Sequence, residues 1–364
     1  MTKLAVISLA GSFFLSMILT GVVKIFAQRA GFLSHPVKDR FAARAVPLGG
    51  GIAIFITLMA FILAAIAAVK IFPGRIDSLA QTANIDMADF LAKINQLIAI
   101  LLSASVLLAM GLWDDKKHLG PFFKLSVQFA VAIIAALFAD VRVEFFIENK
   151  IITSVLSALW IVLIINAFNF LDNMDGLAAG IAVIAGGILF TAAAISGQVF
   201  VGGLTLVFIG TLLGFLVFNF PPAKIFMGDA GSLVVGFFVA ILTLRTTYYH
   251  EAESGRWYAV LMPLVVMAVP LYDFISVTML RICQGKSPFV GDTQHFSHRL
   301  KRLGLTDTQT VLTLYLATLC TGLGAAFLYQ VNLAGAIIIF TQTFMILAII
   351  AILEKTAKND KSSN

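Results

Sequence analysis

Charged residues are scarce in this chain of 364 residues: Asp, Glu, Lys and Arg make up 12% of it, against about 25% in a typical soluble domain. Hydrophobic residues make up 60%, and the mean hydropathy is +0.99. This composition excludes a soluble protein and predicts an integral membrane protein. Cysteine is nearly absent as well, and the two present, Cys283 and Cys320, predict neither a disulfide framework nor a cysteine metal cluster.

Long apolar runs recur along the whole chain and predict an all-α, polytopic membrane protein. A membrane-spanning helix needs about 20 apolar residues. We predict eleven spans, at 4–27, 48–72, 96–113, 122–139, 153–170, 178–196, 199–219, 231–246, 257–281, 310–329 and 333–353. The first run is too long for a signal-peptide core, so we interpret it as a retained helix. We expect one transmembrane domain, residues 1–354, and a short polar cytoplasmic tail, 355–364.

The basic residues predict an orientation in the membrane. Loops after odd-numbered spans, with the C-terminal tail, hold fifteen of the 25 lysines and arginines, and the opposite side holds eight. Because cytoplasmic loops are enriched in these residues, we place the odd loops in the cytoplasm and the N-terminus outside. The net charge of +6 then belongs to loops that face anionic lipid on the cytoplasmic side. We therefore expect no nucleic-acid partner.

The unusual polar residues all follow odd-numbered spans, so we expect them to converge on one cytoplasmic-face site. They are Asp114, Asp115, Asn169, Asp172, Asp175, Asn219, Asp229, Asp292, His295 and His298.

The first motif is "GLWDDKKHLGPFFKL", residues 111–125, in which Asp114 and Asp115 follow an apolar run. Clustered carboxylates attract Mg²⁺ together with substrate phosphates. The alternative is a solvated helix end, neutralised by the two lysines that follow. Lys124 and Gln128 come next at i, i+4 spacing, which places a cation and an amide on one helix face nearby.

The second motif is "NAFNFLDNMDGLAAG", residues 166–180, where Asn166, Asn169, Asp172 and Asp175 recur every third residue. On a helix they form a polar stripe that begins inside the membrane. Such a stripe is costly and indicates a functional site, the alternative being a polar contact between packed helices.

This motif also contains D-x-x-D-G, which resembles the opening of the CDP-alcohol phosphotransferase signature. That signature continues with an Arg, a Gly and an Asp where this chain has Gly180, Leu189 and Ala193. The match therefore fails.

The third motif, "NFPPAKIFMGDAGSLVVGF", spans residues 219–237. Two prolines stop one helix, and a glycine-rich turn opens the next, where backbone N–H groups can approach a phosphate. A carboxylate would repel a phosphate bound at this turn, so the presence of Asp229 there indicates that Mg²⁺ lies between the two. The alternative is an ordinary turn.

The fourth motif, "GKSPFVGDTQHFSHRLKRLG", residues 285–304, carries His295 and His298 beside Arg299. This cationic patch suits an anion or a nucleotide better than zinc, since no third zinc ligand stands at a useful spacing. The alternative is a basic segment that touches lipid headgroups.

Together, in this order and topology, the four motifs resemble the polyprenyl-phosphate N-acetylhexosamine-1-phosphate transferase superfamily, glycosyltransferase family 4. The resemblance covers most of the chain, from "VPLGGGIAIF" at 46–55 to the histidine segment. The muramyl-pentapeptide branch has consecutive histidines followed by an acidic residue. Here Phe296 and Ser297 separate the histidines and Arg299 follows, which favours the GlcNAc-1-phosphate transferase branch.

The resemblance implies transfer of an N-acetylhexosamine-1-phosphate, most simply GlcNAc-1-phosphate, from a UDP-sugar to polyprenyl phosphate, with release of UMP. It implies a bacterial cytoplasmic (inner) membrane enzyme that requires Mg²⁺, which Mn²⁺ could replace, and it allows a homodimer. The alternatives are the muramyl-pentapeptide phosphotransferase and, in another class, an ion-coupled transporter. A transporter predicts charges near the bilayer midplane and repeated halves, and the sequence shows neither.

The resemblance and the chemistry of the side chains assign three sets of site residues. Asp114, Asp115, Asp172 and Asp175 are predicted to be catalytic. Asn169 and Asp229 are the predicted Mg²⁺ ligands. The predicted substrate-binding residues are Lys38, Arg44, Lys124, Asn166, Asn219, His295, His298 and Arg299. Sequence leaves open whether the Asp114–Asp115 pair is a base, positions the lipid phosphate or helps to hold the metal.

Overall fold

The computed structural model describes residues 2–34, 45–72, 87–139, 141–142, 147, 149–246, 257–287 and 295–359. Its α-helices in chain order are α1 Thr2–Arg29, α2 Gly50–Ile71, α3 Met87–Lys116, α4 Pro121–Phe138, α5 Lys150–Leu171, α6 Leu177–Ile195, α7 Val199–Asn219, α8 Gly228–Arg245, α9 Met262–Val266, α10 Ala268–Cys283, α11 Phe296–Arg302, α12 Asp307–Phe327 and α13 Leu333–Asn359. A 3₁₀ turn, Trp257–Leu261, precedes α9. Two short strands, β1 Leu33–Ser34 and β2 Val46–Pro47, pair antiparallel.

The predicted all-α membrane architecture is confirmed. Among the described residues, ten helices are long and apolar enough to cross a membrane. Large apolar side chains remain exposed on their outer faces, among them Phe344 at 72% and Ile338 at 65%. Such faces are stable only in lipid, so the chain is a multi-pass membrane protein.

The ninth predicted span is broken rather than continuous. Its two halves, Trp257–Val266 and Ala268–Cys283, meet at an angle of 65°, and they give the eleventh span if they are counted as one. Pro270 explains the break, because it has no N–H to donate to the carbonyl of Val266 and its ring opposes that carbonyl. Because of the break, α10 runs in a different direction from the half of the span that precedes it.

Two other boundaries differ from the predicted ones. Helix α3 begins at Met87 rather than near residue 96, and Ile94 and Leu97 of its early turns are already buried. Helix α13 continues to Asn359, into the predicted polar tail, where Lys and Ala are good helix formers. The last five residues of the tail lie outside the described residues.

Helix α8 lies at the centre of the bundle. It packs against α2, α3, α5 and α6, and its side chains are buried without interruption from Ala230 to Thr243. Helix α3 approaches it closely at Gly111, where an added Cβ would lie 2.8 Å from the carbonyl carbon of Asp229. Since Asp115 follows Gly111 by one helical turn, this contact brings the paired aspartates to the start of α8.

Candidate active site

The two aspartates of the first motif have different partners. Asp115 holds the first turn of α8: its Oδ1 accepts the backbone N–H of Asp229 at 2.8 Å, and its Oδ2 accepts that of Ala230 at 3.3 Å. A carboxylate stabilises a helix N-terminus by accepting such N–H groups. Gly228 has a φ of +73°, and a Cβ there would lie 2.6 Å from Asp115 Oδ2, so only glycine leaves room for the contact.

Asp114 is buried and binds the start of α4. Its Oδ2 lies 2.6 Å from Nζ of Lys124, and its Oδ1 accepts the backbone N–H of Leu119 at 2.7 Å. The same Lys124 Nζ lies 3.5 Å from Oδ2 of Asp229. One lysine therefore stands between two carboxylates that are far apart in the sequence.

Asn169, near the end of α5, contacts Asp229 from another side. Its Nδ2 donates to Oδ1 of Asp229 at 3.2 Å and to Oγ of Ser232 at 2.9 Å. The Asp229 side chain remains 35% exposed, although much of α8 behind it is buried. Asp229 is thus an accessible carboxylate with fixed neighbours.

Asn166 lies one helical turn before Asn169 on α5. Its Nδ2 donates to Oε1 of Gln128 at 2.6 Å and to the carbonyl of Val162 at 2.8 Å. The polar stripe predicted on α5 therefore packs against the face of α4 that carries Lys124 and Gln128.

The two aspartates after Asn169 lie at the end of α5 and in the loop after it. Asp172 is the C-cap residue of α5 and is partly buried. Asp175 accepts the backbone N–H of Ala223 at 2.8 Å, which ties this loop to the one before α8. Burial raises the pKa of the Asp175 carboxyl above its usual range.

Asn219 connects the same two loops through backbone groups. Its Oδ1 accepts the N–H of Gly176 at 3.0 Å, and its Nδ2 donates to the carbonyl of Ile225 at 2.9 Å. The hydroxyl of Tyr315 donates to the carbonyl of Gly176 at 2.5 Å. Asn219 is buried, so its contacts in this structure shape the loops, and its predicted contact with substrate stays a prediction.

His295 brings the fourth motif to the end of α5. It immediately precedes α11, and its ring lies edge-on to Phe170, with the centroids 5.6 Å apart. Its Nδ1 lies 2.9 Å from Oδ2 of Asp273 on α10. Because Phe170 adjoins Asn169, the histidine segment and the Asp229 cluster flank the same end of one helix.

His298 and Arg299 lie on α11. His298 is buried, and burial, reinforced by the neighbouring His295, lowers its pKa to about 4, so its ring is neutral at pH 7. Arg299 donates from Nη2 to Oγ of Ser276 at 2.8 Å, and Ser297 donates to Oδ1 of Asn173 at 2.5 Å. The first of these contacts fixes α11 to α10, and the second fixes it to the loop after α5.

Three residues named in the sequence analysis, Lys38, Arg44 and Asp292, lie outside the described residues.

The sequence interpretation missed two buried charged residues beside the site. Asp273 is fully buried on α10, and Arg281 of the same helix is also buried. The guanidinium carbon of Arg281 lies 5.0 Å above the Phe170 ring, a cation–π distance. Both fall within the ninth predicted span, and an ionisable residue inside a span was the signal that could have found them.

The side chains at the start of α8 fit the donor set of Mg²⁺. This ion takes oxygen ligands and is usually held by one or two carboxylates together with substrate phosphates and water. Asp229 supplies an accessible carboxylate. Asn169 donates to it from Nδ2, so this amide would have to turn over for its oxygen to join Asp229 on the ion. Within the described ranges, no three His, Cys, Asp or Glu side chains are grouped to hold a metal alone.

Comparison with known proteins finds a family profile and several relatives of this chain. The sequence profile of glycosyl transferase family 4 matches residues 97–247. A relative from Bacillus subtilis (strain 168), a probable undecaprenyl-phosphate N-acetylglucosaminyl 1-phosphate transferase, is 32% identical over 308 residues, 82% of this chain and 78% of the relative. An undecaprenyl-phosphate alpha-N-acetylglucosaminyl 1-phosphate transferase from Thermotoga maritima is 30% identical over 300 residues, 82% and 83% of the two chains. One of the same name from Yersinia pestis is 26% identical over 355 residues, 93% and 86%. The chain belongs to glycosyl transferase family 4.

Proposed function

We propose that this protein transfers GlcNAc-1-phosphate from UDP-GlcNAc to a polyprenyl phosphate and releases UMP. The observation that carries the proposal is the meeting of Asp229, Lys124 and Asn169 at the start of α8. A carboxylate and a lysine side by side at a helix N-terminus suit a phosphate-bearing substrate with a divalent cation. The names of the relatives supply the sugar and the lipid.

The reaction is a phosphoryl transfer. An oxygen of the lipid phosphate forms a bond to the β-phosphorus of the UDP-sugar, and the bond from that phosphorus to the bridging oxygen breaks, so that UMP leaves with the electron pair. Such a transfer asks the protein mainly for alignment and charge neutralisation. Mg²⁺ bound at Asp229 and Asn169 would neutralise charge on the donor diphosphate.

The remaining side chains have tasks that follow from their contacts. The ammonium group of Lys124 is fixed by Asp114 at 2.6 Å and also lies near Asp229. It would therefore contact a phosphate that binds beside Asp229. Asp115 fixes the backbone of Asp229 and therefore the direction of its carboxylate. Asp172, partly buried at the end of α5, keeps its predicted catalytic role.

We place the site at the cytoplasmic face of a bacterial inner membrane. The donor sugar nucleotide is soluble, whereas the acceptor lipid reaches the protein from within the bilayer. The excess of lysine and arginine in the odd-numbered loops supports this face. The contacts among the ends of α3 and α5, the starts of α4 and α8, and α11 support a single site there.

The test is UMP release by the purified protein in detergent with undecaprenyl phosphate. The donor panel is UDP-GlcNAc, UDP-GalNAc and UDP-MurNAc-pentapeptide, each with Mg²⁺, with Mn²⁺ and with a chelator. We expect metal-dependent release that is fastest with UDP-GlcNAc. Preference for UDP-MurNAc-pentapeptide would assign the protein to the muramyl-pentapeptide phosphotransferase branch. Absence of UMP release with every donor would overturn the proposal.

A further inference from the structure

The fully buried carboxylate of Asp273 uses both of its oxygens on the histidine segment. Oδ2 lies 2.9 Å from Nδ1 of His295, and Oδ1 accepts the backbone N–H of Phe296 at 2.9 Å. An acidic residue on an apolar helix is costly unless it has a task. Its two contacts are with consecutive residues, which fixes both the backbone and the ring of His295.

The contact determines which ring nitrogen of His295 carries the proton. An ionised carboxylate only accepts hydrogen bonds, so we assign the proton to Nδ1, the nitrogen that meets Asp273. In the neutral ring the lone pair then belongs to Nε2.

The position of the ring connects this pair to the site. His295 lies edge-on to Phe170, the residue after Asn169, whose amide contacts Asp229. The break before α10 and the contact of Arg281 with the same Phe170 ring hold α10 against the end of α5.

We propose that Asp273 is a positioning residue that fixes the tautomer and direction of His295, so that the lone pair on Nε2 accepts a hydrogen bond from a hydroxyl group of the donor sugar nucleotide. This inference rests on the proposed function for the identity of the donor. In metal sites, carboxylates that orient a ligating histidine change metal affinity or activity by about 10- to 100-fold when they are replaced, and we take that scale for a histidine that orients a substrate.

The decisive variant is Asp273→Asn, which keeps the size of the side chain. Its amide oxygen can still accept from Phe296 N–H, but its NH₂ group then faces Nδ1 and forces the proton to Nε2. We expect kcat for UMP release to fall at least tenfold, while KM for UDP-GlcNAc changes less than threefold. The control is Asp307→Asn, which removes the ion pair of a 51% exposed carboxylate with Lys301 of α11 without touching His295 and should keep kcat within twofold.

A double-mutant cycle separates positioning from a structural role. If Asp273 acts through His295, the pair Asp273→Asn/His295→Gln should be no slower than His295→Gln alone. Losses that multiply, or a fall in thermal stability that accompanies the loss of kcat, would mean that Asp273 only holds α11 in place and would overturn the inference.

Nitrogen NMR tests the pair without turnover, and so independently of the proposed function. The chain has five histidines, and the His295→Gln spectrum of protein with ¹⁵N-labelled histidine assigns the signal of His295. We expect the Nδ1–H form in the wild type and the Nε2–H form in Asp273→Asn. The same tautomer in both would overturn the inference, whereas a tautomer switch in a protein that releases no UMP would instead count against the proposed function.

Discussion

The carboxylate of Asp115 accepts the backbone N–H of Asp229 at 2.8 Å, although 114 residues separate the two in the sequence. The contact joins the end of α3 to the start of α8. It makes the aspartate pair of the first motif a neighbour of the predicted metal ligand, Asp229.

Asp229→Asn should abolish transfer, and any residual rate should no longer depend on Mg²⁺. The physical reason is that an amide is a far weaker ligand of a hard cation than a carboxylate. UMP release at increasing Mg²⁺ concentrations measures this, with membrane insertion and thermal stability of the variant checked alongside. Near-wild-type activity would remove Asp229 from the metal site.

Asp114→Asn and Asp115→Asn should each reduce turnover by 10²-fold or more. Asp114→Asn leaves Lys124 without its closest carboxylate, and Asp115→Asn weakens the hold on the backbone of Asp229. A simple helix cap is worth about 1 kcal/mol, which is less than about tenfold in rate. The turnover of UDP-GlcNAc and polyprenyl phosphate in detergent distinguishes a catalytic role from that of a simple helix cap. Losses under tenfold in both variants would leave the pair with structural tasks alone, the ion pair with Lys124 and the cap of α8.

Gly111→Ala should lower both stability and activity. The added Cβ would lie 2.8 Å from the carbonyl carbon of Asp229, so α3 and α8 must separate. Overpacking of this kind costs about 1–3 kcal/mol, and the shift moves Asp115 away from α8. The control is Gly187→Ala on α6, where a Cβ meets nothing within 4 Å and alanine should leave stability equal or improved. Thermal unfolding and UMP release of both variants check this, and equal behaviour would contradict the close approach.

His298 should make the protein less stable in acid. Its pKa is lowered to about 4 by burial and by His295, with Lys301 and Arg302 acting in the same direction and Asp273 against them. The unfolded chain, with a usual pKa near 6.5, binds this proton more readily. The stabilisation is therefore complete above about pH 6.5 and is lost as the pH falls towards 4, by up to about 3 kcal/mol.

The measurement is thermal unfolding in detergent between pH 4.5 and 7. His298→Gln should flatten the dependence in that window, and His118→Gln, at an exposed histidine, should leave it as in the wild type. An unchanged slope in His298→Gln would show that other groups cause the acid sensitivity.

The orientation predicts where reporters are active. A cytoplasmic reporter fused to the C-terminal end should be active, and one inserted at Gly197, between α6 and α7, should be silent. The reason is the excess of basic residues in odd-numbered loops. Activity of an externally active reporter at the C-terminal end would place the site on the opposite face.

The sequence by itself determined the class of the protein and the neighbourhood of its candidate site. A span needs a fixed length of apolar residues, so helices such as α5, α7 and α8 could be predicted closely. Polar residues at span ends stood out because they are costly there, which is how Asp229 and Asn169 were found. The family motifs followed from short local patterns.

Only the tertiary structure decided which of these residues meet. That Asp115 binds the start of α8 while Asp114 binds Lys124 depends on the close approach of α3 and α8 at Gly111. The pairing of Asp273 with His295 depends on the direction of α10 after the break that Pro270 imposes. Apolar periodicity specifies that a helix forms and crosses the membrane, but contacts between distant segments arise from side-chain shapes on packed faces, which a linear pattern does not contain.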